Sequence, residues 1–222
     1  MPSGGSGQAG RRIKVLGVGN LLWADEGFGV RCVEALGAGR AFPEDVELLD
    51  GGTLGLALIP LLQDATHLLI FDAVDFGGDP GSLIVARDDE LPRFMTRDKM
   101  SLHQAGMNDV LAMLAMLGHR PEALTLVGVQ PVQLDDYGGS LTPTVQSRVP
   151  EAVDLALAEL AAWGAEPRAG ERPSGAVVID AVGQARYESG RPPEELACRH
   201  GDARFLSKQA ARTGPKDPEK PR

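Results

Sequence analysis

Glu26, Asp72 and His103 are side chains of the kind that hold or activate a metal ion, and each stands at the same kind of place in the local pattern. Glu26 follows the glycine turn of "VLGVGNLLWADEG", where a helix is expected to open. Asp72 closes the apolar run "LLIFD", and His103 lies in "SLHQ", in the first turn of a predicted helix. Two carboxylates and one imidazole from three separate loops can form one face of a coordination sphere for a borderline divalent metal, with positions left open for substrate. A helix N-terminus disfavours imidazolium, so His103 is expected to be neutral and able to ligate. Each residue also has an ordinary role open to it. Glu26 can favour the positive end of a helix dipole, Asp72 can accept N–H bonds at a strand end, and His103 can face solvent. Asp50, which ends "VELLD", is the reserve candidate for a general base, and Asp25 has no assigned part.

The elements that must position these groups are legible in the hydrophobic pattern. Strands are predicted over 13–18, 46–50, 82–87 and 123–130, and through "HLLIFDAVD". Beyond Glu26, the residues Gly29, Cys32, Val33 and Leu36 recur on one helical face, and a second apolar helix follows "DGGTLG" up to about Leu62. A third helix has Ser101 as N-cap and Gln104 completing a capping box, then Met107, Val110, Leu111, Leu114 and Leu117 before Gly118. The last is capped by Thr142, has Pro143 at its first position and runs to Gly164, with a kink expected at Pro150. Strands alternating with helices, several of them apolar throughout, indicate an α/β sandwich with a mostly parallel sheet. Ligands of such sheets bind outside the carboxyl ends of the strands, the edge where the acids and His103 fall. The compact domain is expected over 11–164. Residues 165–222 form a Pro-, Gly- and charge-rich extension with one apolar island at 176–182 and a Cys198/His200 pair.

Several function classes are excluded. A net charge of −9 is wrong for a phosphate-backbone partner, so no nucleic acid is expected. No apolar run approaches the roughly 20 residues of a membrane span. "MPSGGSGQAGRR" lacks the hydrophobic stretch of a signal peptide, and the Arg11–Arg12 pair leads into a segment that patterns as folded strand and helix. Cys32 and Cys198 make no CxxC motif, which fits a reducing cytoplasm, and Cys32 is expected to be a buried thiol. A dinucleotide fingerprint needs a third glycine that "GVGNLLWADEG" supplies too late, and the two acids would repel a pyrophosphate. "DGGT" differs from the turn of pepsin-like proteases in its middle residue, and no Gly-x-Ser-x-Gly elbow occurs. Trp23 reads equally as a substrate-facing platform or as packing.

In order along the chain, "LGVGNLLWADEGFGVR", "DGGTLG", "LLIFDAVD", "PGSL", "RDDELP", "SLHQAG", "LTLVGVQP" and "LTPTV" resemble the maturation endopeptidases of NiFe hydrogenases, in wording nearest the enzymes serving membrane-bound uptake hydrogenases. The resemblance covers about residues 12–162, leaving out the first dozen residues and the tail after about Gly164. It implies a three-layer α/β/α sandwich with a twisted, mostly parallel sheet of about five strands. It also implies an endopeptidase, formally of aspartic type, acting on the precursor of the hydrogenase large subunit and removing a short C-terminal peptide once nickel is loaded. The family's metal-contacting Glu, Asp and His match Glu26, Asp72 and His103. The nickel is then supplied by the precursor rather than permanently bound. Glycines 51, 52 and 55 would let backbone approach an extended substrate tail. The alternative is a non-catalytic assembly chaperone that binds the same nickel site. Acidity and the lack of a long apolar stretch are compatible with a cytoplasmic monomer.

Overall fold

The computed structural model describes residues 10–91, 102–134 and 136–168, together with Arg186 and Ser189; for 102–106 only the backbone course is used. Five strands form one sheet: β1 (Ile13–Val18), β2 (Val46–Gly52), β3 (His67–Ala73), β4 (Leu83–Arg87) and β5 (Ala123–Val129). Their order is β2-β1-β3-β5-β4, parallel throughout except for β4, which runs antiparallel at the edge beside β5. Helix α1 (Phe28–Gly37) is preceded by a 3-10 turn at Ala24–Gly27, and the short α2 (Ile59–Leu62) by another at Gly55–Leu58. A further 3-10 turn follows β4 at Asp88–Glu90; helix α3 spans Leu102–Met116, and α4 (Pro143–Gln146) and α5 (Val149–Ala162) follow β5.

Strand residues alternate between two cores, as a period of two requires. Ile13, Val15, Leu69, Phe71, Val127 and Val129 face α1 and α5, meeting Phe28, Val33, Val153 and Leu160. Leu16, Leu68, Ile70 and Leu126 face the other way and meet Leu58 and Leu62 together with Met107, Val110 and Leu114 of α3. These are the three expected layers. Gly29 lets α1 lie unusually close to the sheet, since a Cβ there would come within 2.3 Å of the carbonyl oxygens of Val18 and Phe71. Among the described residues no helix is long and apolar enough to cross a membrane. Cys32 is buried and free, with its thiol pushed well up by desolvation, as a core cysteine is.

Two expected helices are interrupted. The pattern from Thr142 to Gly164 predicts one kinked helix, but the chain forms α4 and α5 with a break at Ser147–Arg148. Pro150 has no N–H to give to an upstream carbonyl, so the helix restarts with Pro150 in its first turn, where that donor is not needed. The stretch after "DGGTLG" is a 3-10 turn and a single α turn rather than a sustained helix. Thr142 caps α4 as expected, its Oγ accepting from Val145 N at 3.4 Å. Ser101 and its capping box lie outside the described residues, as do Cys198, His200 and the island at 176–182. The fold continues past Gly164: Ala165 is buried, and Arg168 N donates to Ala41 O at 2.8 Å.

Candidate metal-contacting site

Asp72 is the next-to-last residue of β3 and has the parity of Leu68 and Ile70, which puts it on the α2/α3 face of the sheet. It is 4% exposed, and its carboxyl is pushed well above the ordinary aspartate range. Burial is the main cause, Glu26 adds a like charge, and a backbone bond from Ala73 partly offsets both. Glu26 therefore stands close enough to act on Asp72. It occupies the third position of the 3-10 turn that joins β1 to α1 and is partly open to solvent.

The first turn of α3 comes to this same edge. From Met116 the chain reaches β5 within a few residues, and Glu122 N bonds Thr66 O beside the start of β3. A helix of 15 residues rises about 22 Å, close to the roughly 23 Å of a seven-residue strand. The helix therefore begins near the carboxyl ends of the strands, with His103 in its first turn; the His103 side chain is outside the described residues. Among those that are described, no three His, Cys, Asp or Glu side chains form a metal-sized group. The turn that bears Glu26 packs against β3, and through it the Glu26 charge acts on Asp72.

Asp50 is not brought to them. It pairs with Gly17 in the sheet and has the parity of Val46 and Leu48, whose packing is with the α1/α5 core. Burial raises its carboxyl, the Gly52 N–H lowers it, and the charges acting on it are Arg31 and Glu34 of α1. Its visible work is to hold the glycine turn after β2.

Asp25, unassigned by sequence, accepts from four donors at this edge. It is 0% exposed. Its Oδ2 accepts from Val132 N at 2.9 Å, Gln133 N at 3.0 Å and Thr142 Oγ at 3.1 Å, and its Oδ1 accepts from Thr142 N at 2.7 Å. Asp25 N donates in return to Gln133 O at 3.1 Å, and Gly138 N donates to Leu22 O at 2.7 Å. Trp23 belongs to the same junction, its ring edge-on to Tyr137 with centroids 5.3 Å apart. Its neighbour Ala24 holds φ at +41°, which costs an L residue roughly 1–2 kcal/mol. Gly19 lies against this turn at φ +130°, and a Cβ there would meet Glu26 O at 1.7 Å. Gln130 is a second group that sequence did not single out: its Oε1 accepts from Phe76 N and Gly78 N while its Nε2 donates to Asp75, fixing the loop after β3.

The family described as HycI, hydrogenase maturation protease, matches residues 30–159. The hydrogenase expression/formation protein HupD of Rhodobacter capsulatus is 52% identical over 199 residues, 90% of this chain and 95% of that protein. The hydrogenase 2 maturation protease of Escherichia coli is 46% identical over 70% of this chain and 94% of its own length. The solved structure of the E. coli hydrogenase maturating endopeptidase HybD superposes with a TM-score of 0.67 at 44% identity, covering 72% of this chain and 99% of that one. A 199-residue match cannot fit within 12–162, so the likeness to HupD reaches beyond the span that the motifs mark out.

Proposed function

We propose that this chain, which belongs to the HycI family of hydrogenase maturation proteases, removes the C-terminal peptide from the nickel-loaded precursor of a NiFe hydrogenase large subunit. The observation that carries this reading is the packing of the turn that bears Glu26 against β3, whose buried Asp72 feels the Glu26 charge at the carboxyl edge of the sheet, the edge near which α3 begins. Nickel belongs to the substrate. Glu26, Asp72 and His103 contact it at open coordination positions and so test whether it has been inserted. The donors suit a borderline cation: two hard oxygens and an imidazole. A nickel ion in this position can polarise the scissile carbonyl or lower the pKa of an attacking water. Either carboxylate can take that water's proton. Asp50 shapes the glycine turn; Gly51 is buried against Leu16, so of the three glycines it is the partly exposed Gly52 and Gly55 that offer backbone to an extended tail. A buried free cysteine suits the cytoplasmic setting in which such a precursor is assembled.

The test is the mass of purified nickel-loaded precursor after incubation with wild type, Glu26→Gln, Asp72→Asn and His103→Ala. Wild type is expected to shorten the precursor, and each variant to do so at least about a hundredfold more slowly. Wild-type rates in all three variants would refute the site. Equal cleavage of nickel-free precursor would refute recognition of the metal, and a stable complex without shortening would mark a chaperone.

A further inference from the structure

We infer that Asp25 is a positioning residue of this site: its buried carboxylate fixes Glu26 opposite Asp72 by fastening the turn that carries Glu26 to the chain that follows β5. This rests on the processing activity proposed above. Four donors converge on the two oxygens of Asp25, and three of them are backbone N–H groups of Val132, Gln133 and Thr142. Those donors lie 107 to 117 residues away along the chain, so the bonds join two remote segments at this edge rather than closing a local turn. Aspartate is the residue that fits. An ionised carboxylate accepts on both oxygens, whereas an asparagine of the same shape turns its NH2 toward at least one N–H in either orientation.

The turn has no slack through which Glu26 could recover its place. Ala24 is held at positive φ on one side of Asp25, and Glu26 O faces Gly19 on the other with no room for a Cβ. Trp23 against Tyr137 and the bond from Gly138 N to Leu22 O extend the same junction outward, with Tyr137 about half exposed at the rim. Loss of the Asp25 bonds therefore lets the backbone at Glu26 relax away from Asp72. Misplacement of a reacting contact by about 1 Å can cost on the order of a hundredfold in rate. Under the processing reading Glu26 acts at the reacting centre, so the effect is expected on kcat more than on KM.

The experiment compares full-length wild type, Asp25→Asn, Thr142→Ala and Val153→Ala on nickel-loaded precursor, at a temperature well below every variant's melting midpoint. Asp25→Asn is expected to lower kcat at least about tenfold with KM within about threefold. Thr142→Ala removes one of the four donors and is expected to lower kcat severalfold in the same direction. Val153→Ala opens a cavity in the core beneath α5 and lowers the melting midpoint, yet it keeps the wild-type kcat. A wild-type kcat in Asp25→Asn overturns the inference, as does a loss in Val153→Ala proportionate to its melting shift. If Asp25→Asn does not fold, Thr142→Ala decides alone, and a wild-type kcat there overturns the inference. If wild type itself leaves the precursor unshortened, the processing reading fails first and is recognised as the cause.

Discussion

The two ends of the sheet treat their acids in opposite ways. At the amino edge each of several carboxylates has a cation beside it: Arg11 Nε bonds Asp45 at 2.7 Å, Arg12 bonds Asp64 at 3.0 Å, and Lys14 sits between Glu47 and Asp64. Arg11 accordingly draws the Asp45 carboxyl below its ordinary value. At the carboxyl edge Asp72 is driven upward by burial and by Glu26. The first arrangement is compatible with stability alone. The second sets one acid against another despite their like charge, as the metal-contacting site proposed above requires. Asp25, at the same edge, is buried as well, and its two oxygens accept from four donors.

The contrast can be broken most severely at Gly19. Gly19→Ala is expected to destabilise the protein by about 3 kcal/mol or more and to disable processing, because neither the φ of +130° nor the space beside Glu26 O accommodates a Cβ. Thermal unfolding and the precursor assay measure the two losses.

A smaller effect, and of opposite sign, is expected from Asp72→Asn. Replacing the buried acid is expected to stabilise the free protein by roughly 1 kcal/mol near neutral pH while it abolishes processing. The pH dependence follows from the raised carboxyl. Above the unfolded value of 3.8, and up to the raised native value, the native state holds more protons than the unfolded one, so stability falls as pH rises through that window. Denaturant titrations of the metal-free protein across that window are expected to show the slope in wild type and its loss in Asp72→Asn.

The smallest change belongs to the amino edge. Asp45→Asn is expected to cost about 0.5 kcal/mol, as for a partly exposed pair, with processing unchanged. Its contribution has the reverse sign in pH: present above the unfolded value of 3.8 and lost as pH falls through the lower native value. A large loss of processing in Asp45→Asn would erase the distinction between the edges.

The sequence carried the sheet well, because buried strands read as apolar runs, and α1 and α3 announce themselves by the period of their apolar residues. Placement of Asp72 was legible for the same reason: the end of an apolar strand has a known edge. Separation of Asp50 from Asp72 was also within reach, by counting parity from Val46 and from Leu68, although an acid at a strand end invites attention to its edge rather than its face. Asp25 was not legible. Its partners are backbone N–H groups, which any residue other than proline supplies, and they lie in a remote loop with no pattern to mark them. The break at Ser147–Arg148 was half visible: Pro150 announced a disturbance, but whether a helix bends or restarts depends on what its ends find to bond.

The reach of the Asp25 bonds along the chain has a consequence for folding kinetics. Segments more than a hundred residues apart meet only after the sheet has assembled between them, because closing so long a loop early has nothing to offset its entropy. Interactions formed after the rate-limiting step act on the rate of escape from the native state and leave the rate of arrival alone. The junction is then a brake on unfolding, setting how long a completed edge survives rather than how soon it forms. Stopped-flow measurements on Asp25→Asn are expected to show an unchanged folding limb and a raised unfolding limb.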